Sequence, residues 1–141
     1  MTFVSITRLR VRSWTYLPMF AIFALRSARQ CAKSAGNLKT ELLADRHYTF
    51  WTATVWTSEA AMKQFMLAGV HRQVMPKLLH WCDEAALVHW TQEDERLPAW
   101  EEIWTRLLKE GRRSKVHHPS PAHLAHNLPA PSRRPRTAVF K

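Results

Sequence analysis

The chain has 141 residues and a formal net charge of +10. That length holds one compact domain with a short extension and excludes a TIM barrel or a doubly wound dinucleotide enzyme. Apolar residues at 46% and seven Trp supply an ordered core, while two Cys are too few for a disulfide scaffold and fit reduced thiols in the cytoplasm.

The charge is unevenly spread. Residues 1–111 carry 14 Lys/Arg against all 11 Asp/Glu, a net of +3. Residues 112–141 carry 7 Lys/Arg and no acid, a net of +7, with five of the eight Pro. The composition therefore predicts a domain over 1–111 and a basic, Pro/His-rich, mostly irregular tail over 112–141, whose first ten or so residues pack across the body or a neighbouring subunit.

In chain order, Thr2–Arg12 is rich in β-branched residues, and Arg8, Arg10 and Arg12 alternate with Leu9 and Val11. This spacing predicts a strand whose later half has one wet face. Tyr16–Lys33 carries a helical stripe at 17, 20, 21, 24, 25 and 28, and Gly36 lies close behind its end. The run Leu17–Leu25 after three Arg imitates a signal peptide. Phe3–Ile6 ahead of the basic residues, Pro18 inside the run and Arg26-Ser27-Ala28-Arg29 behind it speak against one, and the run is too short to span a bilayer.

Leu38–Leu43 and Tyr48–Trp56 read as a hairpin. Thr57-Ser58-Glu59 caps a helix running to Gly69, and a second helical piece runs from His71 to Trp81, split or kinked at Pro76. Cys82-Asp83-Glu84 reads as a solvated turn into a strand over Ala85–Thr91. Pro98 is placed in the first turn of a last helix with stripe Trp100, Ile103, Trp104, Leu107 and Leu108, stopped by Gly111.

The order strand, helix, strand, strand, helix, strand predicts an α+β, ferredoxin-like βαββαβ antiparallel sheet with helices on one face and an extra C-terminal helix. Trp51 and Trp56 fall on opposite faces of one strand, and His89 and Trp90 on opposite faces of another. Both faces are thus too apolar for water, which predicts a homodimer joined through the sheet face.

The segments Phe3–Trp14 (FVSITRLRVRSW), Thr49–Thr57 (TFWTATVWT) and above all Ala61–Trp90 (AMKQFMLAGVHRQVMPKLLHWCDEAALVHW) resemble the dimeric α+β barrel superfamily. The nearest branch is an uncharacterised one, similar to spheroidene-monooxygenase-like and antibiotic-biosynthesis-monooxygenase-like proteins. The resemblance spans about residues 2–110 and includes no catalytic motif. It implies a dimeric barrel with a pocket between sheet and helices. Its members include cofactor-free oxygenases, haem-binding enzymes and isomerases, so it speaks to fold more than to reaction.

The chemistry-bearing candidates have two readings each. His71 opens a helical piece, where the macrodipole disfavours its charged form. It reads as a base or haem ligand, or as a packed histidine. His89 reads as a pocket donor or a satisfied core residue. Trp51, Trp56 and Trp90 read as a binding surface for a flat apolar ligand or as plain core. Arg8, Arg10 and Arg12 read as an anion site or as partners of Glu41 or Asp45.

The His-rich tail has no compact zinc spacing. Three Gly exclude a phosphate-binding loop, and no G-x-S-x-G is present. The paired acids of 93–95 and 101–102 fit helix-dipole stabilisation. The expected function is therefore a monooxygenase-like dimeric α+β barrel protein that binds a small flat apolar ligand, with His71 and His89 as catalytic candidates and His71, Trp51, Trp56 and Trp90 lining the site. Haem is one cofactor expectation and no cofactor the other. A non-catalytic ligand-binding or scaffold dimer is the alternative, and a basic-tailed nucleic-acid accessory protein a third reading.

Overall fold

The computed structural model describes residues 1–132 and 136–141; positions 133–135 of the expected tail lie outside the described residues. The elements are β1 (Thr2–Val11), α1 (Leu17–Lys33), β2 (Asn37–Ala44), β3 (Thr49–Trp56), α2 (Glu59–Met66), α3 (Gly69–Trp81), β4 (Cys82–Gln92), α4 (Trp100–Glu110), β5 (Arg112–Arg113), α5 (Pro121–Leu124) and β6 (Arg136–Val139). The sheet order is β5-β4-β1-β3-β2-β6, with every pairing antiparallel. Its inner four strands follow the βαββαβ order expected from the sequence.

Alternation along each strand divides the sheet into two faces. One carries Phe50, Thr52, Thr54 and Trp56 of β3 and lies under α1, α2 and α3. The other carries Val4, Ile6, Trp51, Ala53, Val55 and Val88, packed against Ile103 and Leu107 of α4 and against Leu128. The extra helix thus covers the face that the sequence assigned to a second subunit. Trp51, Val55 and Leu43 are fully buried within one chain.

Residues after Gly111 contribute to that cover. Val116, Ser120, His123 and Leu128 are buried, and Trp104 Nε1 donates to the Leu128 carbonyl at 2.8 Å. Ser120 Oγ donates to Glu84 Oε2 at 2.7 Å, and β6 extends the sheet beside β2. Among the described residues after Gly111 the regular elements are β5, α5 and β6.

Gly36 shows how closely the helical layer approaches the sheet. It has φ +85°, and a Cβ there would lie 2.6 Å from Ala61 Cβ and 2.7 Å from Thr57 Oγ1. Only glycine allows both the left-handed backbone and this contact between the α1–β2 turn and the start of α2. Ser58 caps α2 by accepting the Ala61 N–H at 3.2 Å.

Four local expectations are corrected. Cys82-Asp83-Glu84 is strand, so β4 starts three residues early, and Glu84 is 1% exposed instead of solvated. Pro76 neither splits nor ends α3; it sits in an exposed position inside a continuous helix. Pro98 precedes α4, whose cap is Ala99. The wet strand face is also wrong for Arg8, which is 2% exposed and pairs with Glu84 at 2.7 Å, not with Glu41 or Asp45. A nearby opposite charge on β4 offsets the desolvation that alternation alone would have forbidden.

Candidate functional site

A cavity of about 180 Å³ lies between the sheet and α1, α2 and α3. Its floor comes from strand register. Ser5 pairs with Thr54 and Thr7 with Thr52 across β1 and β3, while His89 of β4 lies opposite Ser5. These positions share one face, so four hydroxyls and an imidazole form a polar row across three strands. Thr54 Oγ1 donates to the Ser5 carbonyl at 3.2 Å and accepts from Trp56 Nε1 at 2.8 Å. The hydroxyls of Ser5, Thr7 and Thr52 make no side-chain hydrogen bond among the described residues and border the cavity.

The walls are apolar, with Phe20, Phe23 and Ala24 from α1, Phe65 and Met66 from α2, and Val74 and Leu78 from α3. Among the described residues the lining holds no Asp, Glu, Lys or Arg. Cys31 also borders it, and burial pushes its thiol up to about 11, so it is not a thiolate nucleophile near neutrality.

His71 enters the wall from the first turn of α3. Its position is set by Gln30 of α1, whose amide spans two chain segments. Gln30 Nε2 donates to the Ala68 carbonyl at 2.9 Å, and Gln30 Oε1 accepts the His71 backbone N–H at 3.1 Å. The imidazole packs on Phe65 at 4.6 Å between ring centroids. His71 Nδ1 lies 3.3 Å from the Met66 carbonyl oxygen. A carbonyl only accepts, so Nδ1 holds the proton and Nε2 keeps the free lone pair. Burial holds the His71 pKa below its ordinary 6.5, outweighing the opposite effect of the Met66 hydrogen bond. The ring is therefore a neutral proton acceptor at pH 7. Burial, with the charge of Arg112, lowers His89 in the same direction.

Of the five residues expected at the site, the cavity brings together His71, His89 and Trp56. Trp51 and Trp90 lie on the opposite face of the sheet. Trp51 packs edge-on against Trp100 at 6.2 Å, and the Arg106 guanidinium sits 4.5 Å over Trp90. Alternation on β3 and β4 separates them from the cavity, and α4 occupies their side. Sequence reading missed Gln30, Ser5, Thr7 and Thr52. The strand alternation of Thr52 and Thr54 with apolar residues was visible, but an inward hydroxyl row emerges only when the register of β1 against β3 is known.

Haem does not fit this cavity. Cavities of roughly 150 Å³ take one benzene ring, and drug-sized ligands need about 300–1,000 Å³. The lining also has no cation for a propionate. Among the described residues no three His, Cys, Asp or Glu side chains stand close enough to hold a metal ion.

Residues 23–132 match the family described as "Domain of unknown function (DUF3291)". No curated protein matches the chain. Solved structures do. The chain is similar to Rv0793 from Mycobacterium tuberculosis at 11% identity and a TM-score of 0.60, covering 69% of this chain and 100% of that one. It is similar to an antibiotic biosynthesis monooxygenase at 12% identity and a TM-score of 0.58, covering 67% and 100%. It is also similar to SnoaB, a cofactor-independent oxygenase from Streptomyces nogalater, at 18% identity and a TM-score of 0.55, covering 69% and 97%. At these identities the likeness establishes a shared fold: this chain has the ferredoxin-like α+β fold of monooxygenase-like proteins.

Proposed function

The chain belongs to the DUF3291 family of domains of unknown function, and on that premise we propose that it binds a flat, mainly apolar molecule of one or two rings in the cavity between the sheet and α1–α3. The observation that carries this reading is the pairing of a neutral, oriented His71 with a row of free hydroxyls inside one apolar cavity of about 180 Å³. Aromatic walls favour the ring faces, and Ser5, Thr7 and Thr52 meet a polar edge. Similarity of fold to a cofactor-independent oxygenase adds a reaction class. His71 Nε2 takes a proton from an activated carbon of the ligand, leaving a carbanion that reduces molecular oxygen. The carbon loses two hydrogens and gains one oxygen as a carbonyl; the second oxygen leaves as water.

Trp56 and His89 border the same cavity, and in this reading His89 hydrogen-bonds a ligand oxygen. The division at Gly111 is part of the proposal: residues 1–111 supply the cavity lining apart from Ser114, while Ala122 and Leu128 beyond it brace the opposite face. A homodimer is a second part. The sequence predicts that dimer through the sheet face, which α4 covers in the single chain, and light scattering distinguishes one chain mass from two. A ligand-binding protein without catalysis is the competing reading.

The test titrates the protein with naphthol and dihydroxynaphthalene while oxygen uptake is followed. Saturable binding that Ala24→Phe abolishes supports the cavity, and oxygen uptake that His71→Ala removes without loss of binding supports the reaction. Binding without oxygen uptake leaves the non-catalytic reading. Binding equal in Ala24→Phe and the parent protein refutes the cavity as the site.

A further inference from the structure

The outer surface of the helical layer has a property that the cavity does not explain. On α1, Pro18, Met19, Ile22, Leu25, Arg26, Arg29 and Lys33 are all exposed. At about 100° per residue they fall within roughly one third of the helix circumference. Met19, Ile22 and Leu25 are 48%, 52% and 44% exposed, and Trp14, just before the helix, is 68% exposed. The apolar positions occupy the first half of this stripe and the cations its second half.

Helix α3 extends the same layer. It runs antiparallel beside α1: Gln30 meets the start of α3, while Lys77 Nζ sits 4.9 Å over Phe23 and Tyr16 packs on His80 near its end. Its exposed residues include Arg72, Met75 and Lys77. Neither helix contains an Asp or Glu, although the chain has eleven. Five cations and four large exposed apolar side chains therefore share a surface with no acid on either helix.

We propose that this face of α1 and α3 docks on an anionic lipid surface, with Trp14, Met19, Ile22 and Leu25 entering the headgroup boundary and Arg26, Arg29, Lys33, Arg72 and Lys77 meeting lipid phosphates. The apolar side chains stand on a convex helix, not in a groove, which suits insertion between headgroups. The cations supply complementarity to a negatively charged leaflet. A second copy is a poor occupant, because a two-fold contact would bring this acid-free patch against itself. No helix among the described residues is long and apolar enough to cross a membrane, so the association is peripheral. It also gives a role to the apolar run Leu17–Leu25 that imitates a targeting segment.

The experiment is co-sedimentation of the full chain with vesicles of phosphatidylcholine alone and with added phosphatidylglycerol, at low and high salt. Binding to anionic vesicles is expected, weakened by salt. Arg26→Gln with Arg29→Gln should lower partitioning roughly ten- to thirtyfold, and Ile22→Ser with Leu25→Ser should lower it as well, with circular dichroism unchanged because all four sites are exposed. No binding to anionic vesicles at low salt overturns the proposal. So does binding that survives both double variants but is lost on removal of residues 136–141 or on neutralising Arg112 and Arg113, which assigns it to the C-terminal charge. Self-association abolished by Ile22→Ser with Leu25→Ser, without lipid binding, instead makes the face a protein contact and also overturns it.

Discussion

Arg8 of β1 and Glu84 of β4 form a 2.7 Å ion pair with both side chains only 2% exposed. Glu84 also accepts from Arg10 at 3.2 Å and from Ser120 at 2.7 Å. One carboxylate thus joins two residues of the first strand to the C-terminal segment. Removing it leaves a buried guanidinium without its counter-charge. Glu84→Ala should cost about 3–5 kcal/mol, read by urea denaturation. Replacing Arg8 and Glu84 together by Met should cost much less than the single change, because neither charge then remains buried. Equal losses would show that the pair's electrostatics is not what the single variant reports.

Stability should fall in two stages as pH falls. His71, His89 and His123 are all held below their ordinary 6.5 by burial. The unfolded chain therefore binds protons first, so stability declines as pH falls below 6.5 toward the folded-state values. Burial raises the Glu84 pKa, but hydrogen bonds from Arg8, Ser120 and Arg10 and the charge of Arg8 outweigh it and hold the carboxyl below its ordinary 4.5. Its contribution is complete above 4.5 and is lost as pH falls through the lower folded-state value. Burial raises neighbouring Asp83, a shift of opposite sign. Melting temperature against pH should show the upper stage, with His71→Phe reducing its slope. The lower stage should shrink in Glu84→Gln.

Gly36 offers a backbone test. At φ +85°, with two atoms of neighbouring residues under 3 Å from a Cβ, Gly36→Ala combines strain with a clash. A loss of roughly 1–3 kcal/mol is expected, measured by thermal denaturation. An unchanged melting temperature would mean that the α1–β2 turn is free to move away from α2.

Leu128 tests whether the C-terminal segment is part of the folded unit. It is 1% exposed and packs in the core with Ile103 and Leu107. Leu128→Ala should cost about 2–5 kcal/mol in the same cooperative transition as the rest of the chain. A change below measurement error would leave the segment as an independent appendage.

Element order was legible because its signals are local. The alternation of β3, the stripe of α1 and the Ser58 cap depend on neighbours within a few residues, and together they predicted the βαββαβ fold. The same periodicity put Trp51 and Trp56, and His89 and Trp90, on opposite faces. Local pattern also assigned Asp83 and Glu84 to a turn, because charged residues beside one another resemble a solvated loop. Only the pairing of β1 with β4 brings Arg8 to Glu84 and makes a buried strand position tolerable for both.

The site divides in the same way. Local pattern alone put His71 at a helix start and aromatic residues on both sheet faces. Tertiary structure decided which of these share a cavity, because that depends on contacts between residues dozens of positions apart: Gln30 on His71, Thr7 beside Thr52, and α4 over Trp51. The +10 charge shows the same division. Summed along the chain it separates a nearly balanced body from a basic C-terminal stretch, whereas the acid-free surface of α1 and α3 exists only because folding lays two separate helices side by side.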